Sequence, residues 1–115
     1  MINLGPPSVA SGPGYGTVRP MPVFHDERRR LRDLVADPDT LILPRPHAVR
    51  RMAERNVSRL VAERLVGTGK VVAVETEVSG EERWSVEGAD TDGHAITVVC
   101  VPNVDDRLVE IVTVF

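Results

Sequence analysis

The sequence predicts an α+β domain in which two or three helices pack on one face of a four-stranded antiparallel sheet. Apolar residues recur at helical spacing in the first half of the chain, between residues 24 and 66. From residue 70 onward they alternate with polar residues, which is the pattern of strands with one buried face. Short polar turns separate the alternating segments, and such turns join neighbouring antiparallel strands. Helices that precede a meander of this kind cover one of its faces.

Length and composition are those of one soluble globular domain. The chain has 115 residues, of which 42% are hydrophobic and 27% charged, and this length supports a single modest core. No apolar run approaches the ~20 residues that span a bilayer, and the N-terminus lacks the basic start and apolar stretch of a secretory signal. The single cysteine, Cys100, cannot form an internal disulfide. We therefore expect a cytoplasmic protein without membrane association.

The first 22 residues differ in composition from the rest of the chain. Gly5 to Pro22 contains nine Gly or Pro in eighteen residues, which disfavours helix and leaves little apolar surface to bury. Residues 1–22 are predicted to form a flexible arm, and residues 23–115 a single domain. The arm either packs on a partner, such as a second copy in a homodimer, or precedes a functional start at Met21.

The first predicted helix lies in "FHDERRRLRDLVAD" and ends before Pro38. Its apolar stripe is Phe24, Leu31, Leu34 and Val35. The following "TLILP" is either a short link or an edge strand.

A second helix is predicted over Pro46 to Arg55, because proline fits the first helical turn. Asn56 is expected to end it in a left-handed conformation. Ser58 caps a third helix, "RLVAERLV", which Gly67 and Gly69 close. The predicted apolar face of this third helix consists of Leu60, Val61 and Leu65.

Four strands are predicted after Lys70, in "KVVAVETEV", "ERWSVEGAD", "HAITVVCVP" and "RLVEIVTVF". Cys100 lies inside the third of them and is expected to be a buried, inert core residue. Thr113 lies in the fourth and is expected to share a face with Val109 and Ile111. Its hydroxyl would then lie in the core or point into a cleft.

The second predicted helix carries a row of basic side chains. His47, Arg51 and Arg55 are four residues apart and therefore lie in one line, at the border of the apolar face. Guanidinium groups bind phosphate oxygens in pairs, and a histidine can exchange a proton near neutral pH. The row suits RNA cleavage without a metal. In the alternative interpretation, its arginines pair with Glu54, Glu63 or acids of the sheet, and His47 caps or packs.

Charge is unevenly distributed along the chain. Residues 25–70 contain eleven Lys or Arg against seven Asp or Glu, whereas residues 71–115 contain two against ten. The basic middle can meet RNA phosphates, or it can meet the acidic half of its own fold or of a second copy. The histidines at 25, 47 and 94 show no metal-ligand spacing and no second cysteine exists, so we expect no metal and no cofactor.

The segments "HAVRRMAERNVS", "VGTGKVV", "DTDGHAITVVCV" and "LVEIVTVF" resemble a widespread bacterial family of small domains of unknown function. Its members often read His-Ala-x-x-Arg-Met-x-x-Arg-Gly-Ile-Ser and end in Val-Thr-Val-Tyr. They are frequently encoded beside zinc-finger antitoxins. They are considered similar to RelE/MqsR-type toxin nucleases, which place helices against an antiparallel sheet and cleave RNA without metal. The resemblance covers residues 44 to 115.

This resemblance implies a set of site residues. His47, Arg51 and Arg55 occupy the family's helix positions, and Thr113 occupies its terminal threonine. Two positions depart from the pattern: Asn56 replaces a glycine, which Asn tolerates because it adopts the left-handed conformation, and Phe115 replaces a tyrosine, whose hydroxyl this chain lacks.

Two functional hypotheses follow. The first is a toxin-like endoribonuclease, or a degenerate relative of one, with His47, Arg51, Arg55 and Thr113 as catalytic residues. Arg83 and Trp84 of the sheet would bind the RNA substrate, and an antitoxin protein would be the partner. The second is a non-catalytic interaction module that dimerises or binds a partner through its arm and its acidic sheet.

Overall fold

The computed structural model describes residues 24–115, which form three helices and one five-stranded sheet. The arm predicted at residues 1–22 lies outside the described residues. The helices are α1 (His25–Ala36), α2 (Pro46–Arg55) and α3 (Arg59–Thr68). The strands are β1 (Leu41–Pro44), β2 (Lys70–Thr76), β3 (Glu82–Ala89), β4 (Ala95–Asn103) and β5 (Leu108–Val114).

The sheet is mixed, with strand order β1-β5-β4-β3-β2. The predicted meander is present, since β2 to β5 pair antiparallel with their chain neighbours. The prediction of a four-stranded, purely antiparallel sheet was wrong, because β1 adds a parallel edge strand whose Leu41 pairs with Leu108. Parallel partners need a long crossover rather than a turn, so no turn signal marks them in the sequence. The mixed sheet therefore also differs from the antiparallel one implied by the resemblance, while the α+β class is confirmed.

Helix α1 begins one residue later than the apolar pattern indicated. Phe24 takes a left-handed conformation, φ 59°, and its carbonyl accepts a hydrogen bond from the Arg28 N–H at 2.9 Å. Leu31 and Leu34 are the buried residues of the helix. The last helical residue is Ala36. The ring of Pro38 disfavours a helical conformation at the residue before it, Asp37, which is extended.

The junction between α2 and α3 has the predicted caps. Asn56 ends α2 at φ 55°, and the Ser58 hydroxyl accepts a hydrogen bond from the Val61 N–H at 3.2 Å. One predicted apolar residue of α3 is wrong: Leu60 is 78% exposed. The small Ala62 is buried in its place, because it allows the helix to approach the sheet closely.

One core lies between the helices and the inner face of the sheet. Buried residues alternate along β3 and β4, as expected when one face is covered. The buried residues of this core are Leu31, Leu34, Ala48, Met52, Val57, Ala62, Leu65, Val66, Val71, Trp84, Val86, Ile96, Val98, Cys100, Val109, Ile111 and Val114.

A β-bulge in β5 changes the face on which Thr113 lies. Ile111 pairs with Cys100 and Thr113 with Val99, so Val112 has no partner. The extra residue reverses the alternation that places Val109 and Ile111 in the core. Thr113 is thus on the outer face of the sheet with Val99, half-buried, and the predicted shared face with Val109 and Ile111 was wrong.

Among the described residues, no helix has the length and apolar character needed to cross a membrane.

Candidate functional site

Helix α2 presents the basic row at the edge of its buried face. Ala48 and Met52 bury that face in the core, while His47 and Arg55 are exposed and Arg51 is partly exposed. Arg55 lies in the last helical turn, where a cation interacts favourably with the helix dipole. The row therefore has the border position that the helical spacing predicted.

Only one member of the row has an acidic partner within residues 24–115. The Arg51 Nη1 lies 3.0 Å from the Glu54 Oε1, on the same helix. An exposed helical pair of this kind contributes only about 0.3–0.5 kcal/mol, so a phosphate can replace the carboxylate at little cost. The His47 Nδ1 faces the Arg50 Nη2 at 3.4 Å.

Arg45, which lies outside the row, pairs with two acids, Glu110 of β5 and Glu81 just before β3. The Arg45 Nη2 lies 2.9 Å from both the Glu81 Oε2 and the Glu110 Oε1. These contacts, the Glu110 hydrogen bond first, raise the pKa of Arg45 above its ordinary value. Arg45 precedes α2, and its charge is used inside the fold rather than in the basic row.

Arg83 and Thr113 lie on the outer face of the sheet, apart from the core. The Arg83 Nε is 3.8 Å from the Glu81 Oε2 and so belongs to the group of charges around Arg45. The backbone of Thr113 pairs with that of Val99 on the same face. The structure thus brings Arg83 and Thr113 to one face of the sheet. Arg83, however, lies beside the acidic Glu81, which Arg45 also contacts.

Trp84 lies on the opposite face of the sheet from Arg83, because successive strand residues point to opposite sides. It is 5% exposed, and its Nε1–H donates to the Glu82 Oε1 at 3.0 Å. The Arg30 guanidinium lies 5.4 Å from the centre of its ring, within the range of a cation–π contact. These contacts give Trp84 a packing role, and the two predicted substrate-binding neighbours do not meet at one site.

A polar cleft opens beside the end of the basic row. It has a volume of about 500 Å³ and lies between the α2–α3 junction and the turn that joins β3 to β4. Its lining residues are Arg55, Asn56, Val57, Ser58, Val61, Asp90, Thr91, Asp92 and His94. Arg55 is the member of the predicted site that this cleft contains.

Asp90 and His94 are held together within the turn that lines the cleft. The Asp90 Oδ1 accepts hydrogen bonds from the backbone N–H groups of Asp92 at 2.9 Å and His94 at 2.8 Å. The His94 Nδ1 lies 3.3 Å from the Asp90 Oδ2. The His94 N–H is the largest of the causes that lower the pKa of Asp90, followed by the Asp92 N–H and the imidazole. Asp90 therefore stays ionised wherever the protein is folded at ordinary pH.

The same three residues are the closest group of metal-type ligand atoms in the described part of the chain. Atoms of Asp90, Asp92 and His94 lie within 4.8 Å of one another. The hydrogen bonds of the turn account for this grouping, and we assign it no metal.

Sequence reasoning missed His94 and Asp90 as candidate site residues. Their segment, "DTDGH", indicated a hairpin turn, and it forms one, with Gly93 at φ 86°. The spacing of Asp90 and His94 would also have predicted their contact, since an aspartate commonly bonds backbone groups a few residues on. The approach of Arg55 depends on how α2 crosses the sheet, which no local signal encodes.

These elements define a small α+β domain with a basic helix beside a polar cleft. Residues 45–115 match the family described as "Domain of unknown function (DUF4258)", and the chain belongs to this family. The match begins at the residue before α2, so α1 and β1 precede it. No curated protein and no solved structure matches the chain.

Proposed function

We propose that the protein is a metal-independent endoribonuclease of the toxin type, acting in the bacterial cytoplasm. The observation that carries the proposal is the availability of the basic row. His47 and Arg55 are exposed and have no acidic partner within residues 24–115. Glu110, an acid of the sheet, pairs with Arg45 instead. A row that served internal ion pairs would instead be neutralised by those acids.

The row has dimensions that suit an RNA strand. Residues eight apart on a helix are separated by ~12 Å along its axis, so His47 and Arg55 can contact different phosphates of one strand. Arg51 and Arg55 would bind phosphate oxygens and stabilise the charge that develops at phosphorus. His47 lies at the start of the same row and would contact the RNA strand beside them. The same proposal implies an antitoxin protein that covers the row.

Induced expression tests the proposal. Wild type is compared with the double variant Arg51→Ala/Arg55→Ala, and with Arg29→Ala as a control. Arg29 is a matched control because it is an exposed helical arginine paired with an acid of its own helix, Asp26. We expect growth arrest and RNA decay with wild type and Arg29→Ala, and normal growth with the double variant. Normal growth of all three cultures with soluble protein present contradicts the nuclease.

A second candidate function is the interaction module, and the outer face of the sheet favours it. Leu41 is 58% and Leu43 42% exposed on the edge strand β1, and Val99 and Val101 are half-buried on the same face. A homodimer formed through this face would dissociate in the variant Leu41→Ser/Leu43→Ser. Sedimentation analysis distinguishes the two functions. The module is supported if the wild type is a dimer without RNA cleavage and the double variant is a monomer.

A further inference from the structure

The cleft at the end of α2 contains a second histidine, His94, which has no role in the proposed reaction so far. We infer that His94 is the catalytic base of the proposed nuclease, that Asp90 is its positioning residue, and that Arg55 holds the scissile phosphate in the same cleft. This inference rests on the proposed function and specifies the substrate position within the same site.

Two segments distant in the sequence meet in this cleft. Arg55 reaches it from the last turn of α2, and His94 from the turn between β3 and β4. The volume of about 500 Å³ lies within the ~300–1,000 Å³ typical of small-molecule sites. A cleft of this size accepts one nucleotide of a strand that continues along the basic row.

The contact with Asp90 orients the imidazole of His94. The Nδ1 faces the Asp90 Oδ2 at 3.3 Å, so the tautomer of the neutral ring that carries its proton on Nδ1 is favoured, and in that tautomer Nε2 is the proton acceptor. The carboxylate is itself fixed, since its other oxygen accepts two backbone N–H groups. A histidine held by a carboxylate in this way is an arrangement that enzymes use for general-base catalysis.

His47 lacks such an orienting group. Its Nδ1 faces the Arg50 guanidinium at 3.4 Å, and no carboxylate contacts it within residues 24–115. It also lies ~12 Å from Arg55 along the helix axis, at the opposite end of α2 from the cleft. The geometry therefore assigns phosphate binding to His47 and proton transfer to His94.

Charges around the cleft are mixed. Arg55 makes no ion pair with the described residues, and the Arg64 Nη2 donates to the carbonyl of Ala89, the residue before Asp90, at 3.4 Å. Asp90 and Asp92 oppose them. Asp90 faces His94, whereas the exposed Asp92 carboxylate has no cationic partner in the described chain. Asp92 should consequently weaken phosphate binding, and its neutral variant provides an internal control of opposite sign.

The proposed step needs no oxidant, metal or cofactor. The His94 Nε2 removes the proton of the ribose 2′-hydroxyl while that oxygen forms a bond to the adjacent phosphorus. The bond between phosphorus and the 5′-oxygen breaks, and the departing 5′-oxygen takes a proton from water. The products are a 2′,3′-cyclic phosphate and a 5′-hydroxyl, and His94 returns its proton to the solvent.

Cleavage of a 5′-labelled RNA by the purified chain in EDTA tests the inference. The variants are His94→Ala, His47→Ala, Asp90→Asn, Asp90→Glu and Asp92→Asn, with the exposed His25→Ala of α1 as control. General-base catalysis is worth about 10²- to 10⁴-fold. We therefore expect His94→Ala to lose at least about 100-fold in rate with unchanged RNA affinity, and added imidazole to restore part of it.

The other variants distinguish orientation of His94 and binding of RNA from effects on folding. Asp90→Asn should lose activity and Asp90→Glu regain part of it, Asp92→Asn should bind RNA more tightly, and His47→Ala should weaken binding while cleavage persists. Thermal melting of each variant checks that it is folded. Wild-type rates in His94→Ala overturn the inference alone, whereas loss of wild-type cleavage in EDTA overturns the metal independence of the proposed nuclease. Absence of cleavage by wild type overturns the proposed function as well.

Discussion

Glu110 pairs with Arg45, 65 residues away in the sequence, through an Oε1–Nη2 distance of 2.9 Å. This pairing joins the outer face of the sheet to the residue before α2. Among residues 24–115, Glu110 pairs with Arg45, and neither Arg51 nor Arg55 pairs with an acid of the sheet.

The salt dependence of RNA binding should report each free arginine of the row. Each phosphate contact to a single strand contributes about 0.7 to the slope of log K against log salt concentration. Arg55→Ala is therefore expected to reduce that slope by about 0.7, because it removes one contact. The slope is measured by titrating a labelled RNA at several salt concentrations. Arg29→Ala, which already has Asp26 as a partner, should leave it unchanged, and an equal change in both variants would disprove specific contact by Arg55.

Arg45 should stabilise the fold through its two acids. In Arg45→Ala, the carboxylates of Glu81 and Glu110 lose their shared donor while each is more than half buried. We expect a loss of about 1–3 kcal/mol in the free energy of unfolding, the cost of leaving such groups without partners. Urea unfolding measures it. Adding Glu110→Gln to Arg45→Ala should recover part of the loss, and purely additive losses would show that the two residues are not coupled.

The sequence predicted the helices, the four meander strands and the caps because each has a local cause. Ser58 and Asn56 stand at positions where short-range hydrogen bonding and backbone conformation determine the outcome. The alternation along β2 to β5 likewise depends on neighbouring residues only.

What the sequence did not predict depends on contacts between distant segments. The parallel pairing of β1 with β5 and the bulge at Val112 are set by the packing of the whole sheet. That bulge moved Thr113 to the outer face. The two parts of the candidate site differ in the same way. The spacing along α2 predicted the basic row, whereas the presence of His94 and Arg55 in one cleft depends on how distant segments pack.

Asp90 should titrate below the ordinary range of an aspartate, and should continue to do so without the imidazole. The main cause of its lowered pKa is the His94 backbone N–H, which remains in His94→Ala. Carbon-detected NMR titration of the carboxyl group measures this in wild type and variant. Because the folded pKa is lowered, Asp90 stabilises the fold above the ordinary aspartate pKa, and this contribution is lost as pH falls through the folded value. An ordinary pKa in the variant would show that the imidazole is the dominant cause.

Cys100 should make the protein less stable at high pH. Burial raises the pKa of its thiol from 9.0 to about 12, so above pH 9 the unfolded chain ionises while the folded chain keeps its proton. The free energy of unfolding should then fall with rising pH, by at most about 1.36 kcal/mol per pH unit from this group. Urea unfolding between pH 8 and pH 10.5 measures the slope. Cys100→Ala lowers stability at every pH but should show a shallower decline, and equal slopes would exclude ionisation of the thiol as the cause.

Two glycines beside Leu65 should differ in their tolerance of a methyl group. A Cβ at Gly69 would lie 2.7 Å from the Leu65 carbonyl oxygen and 2.8 Å from that of Glu87, and both oxygens are fixed by the backbone. A Cβ at Gly88 would meet the Leu65 Cδ2, the end of a side chain that can rotate away. We expect Gly69→Ala to lose about 2–3 kcal/mol in the free energy of unfolding and Gly88→Ala about 1 kcal/mol. Because both substitutions add the same methyl group next to the same leucine, equal losses in urea unfolding would show that the backbone between α3 and β2 adjusts as readily as the leucine side chain.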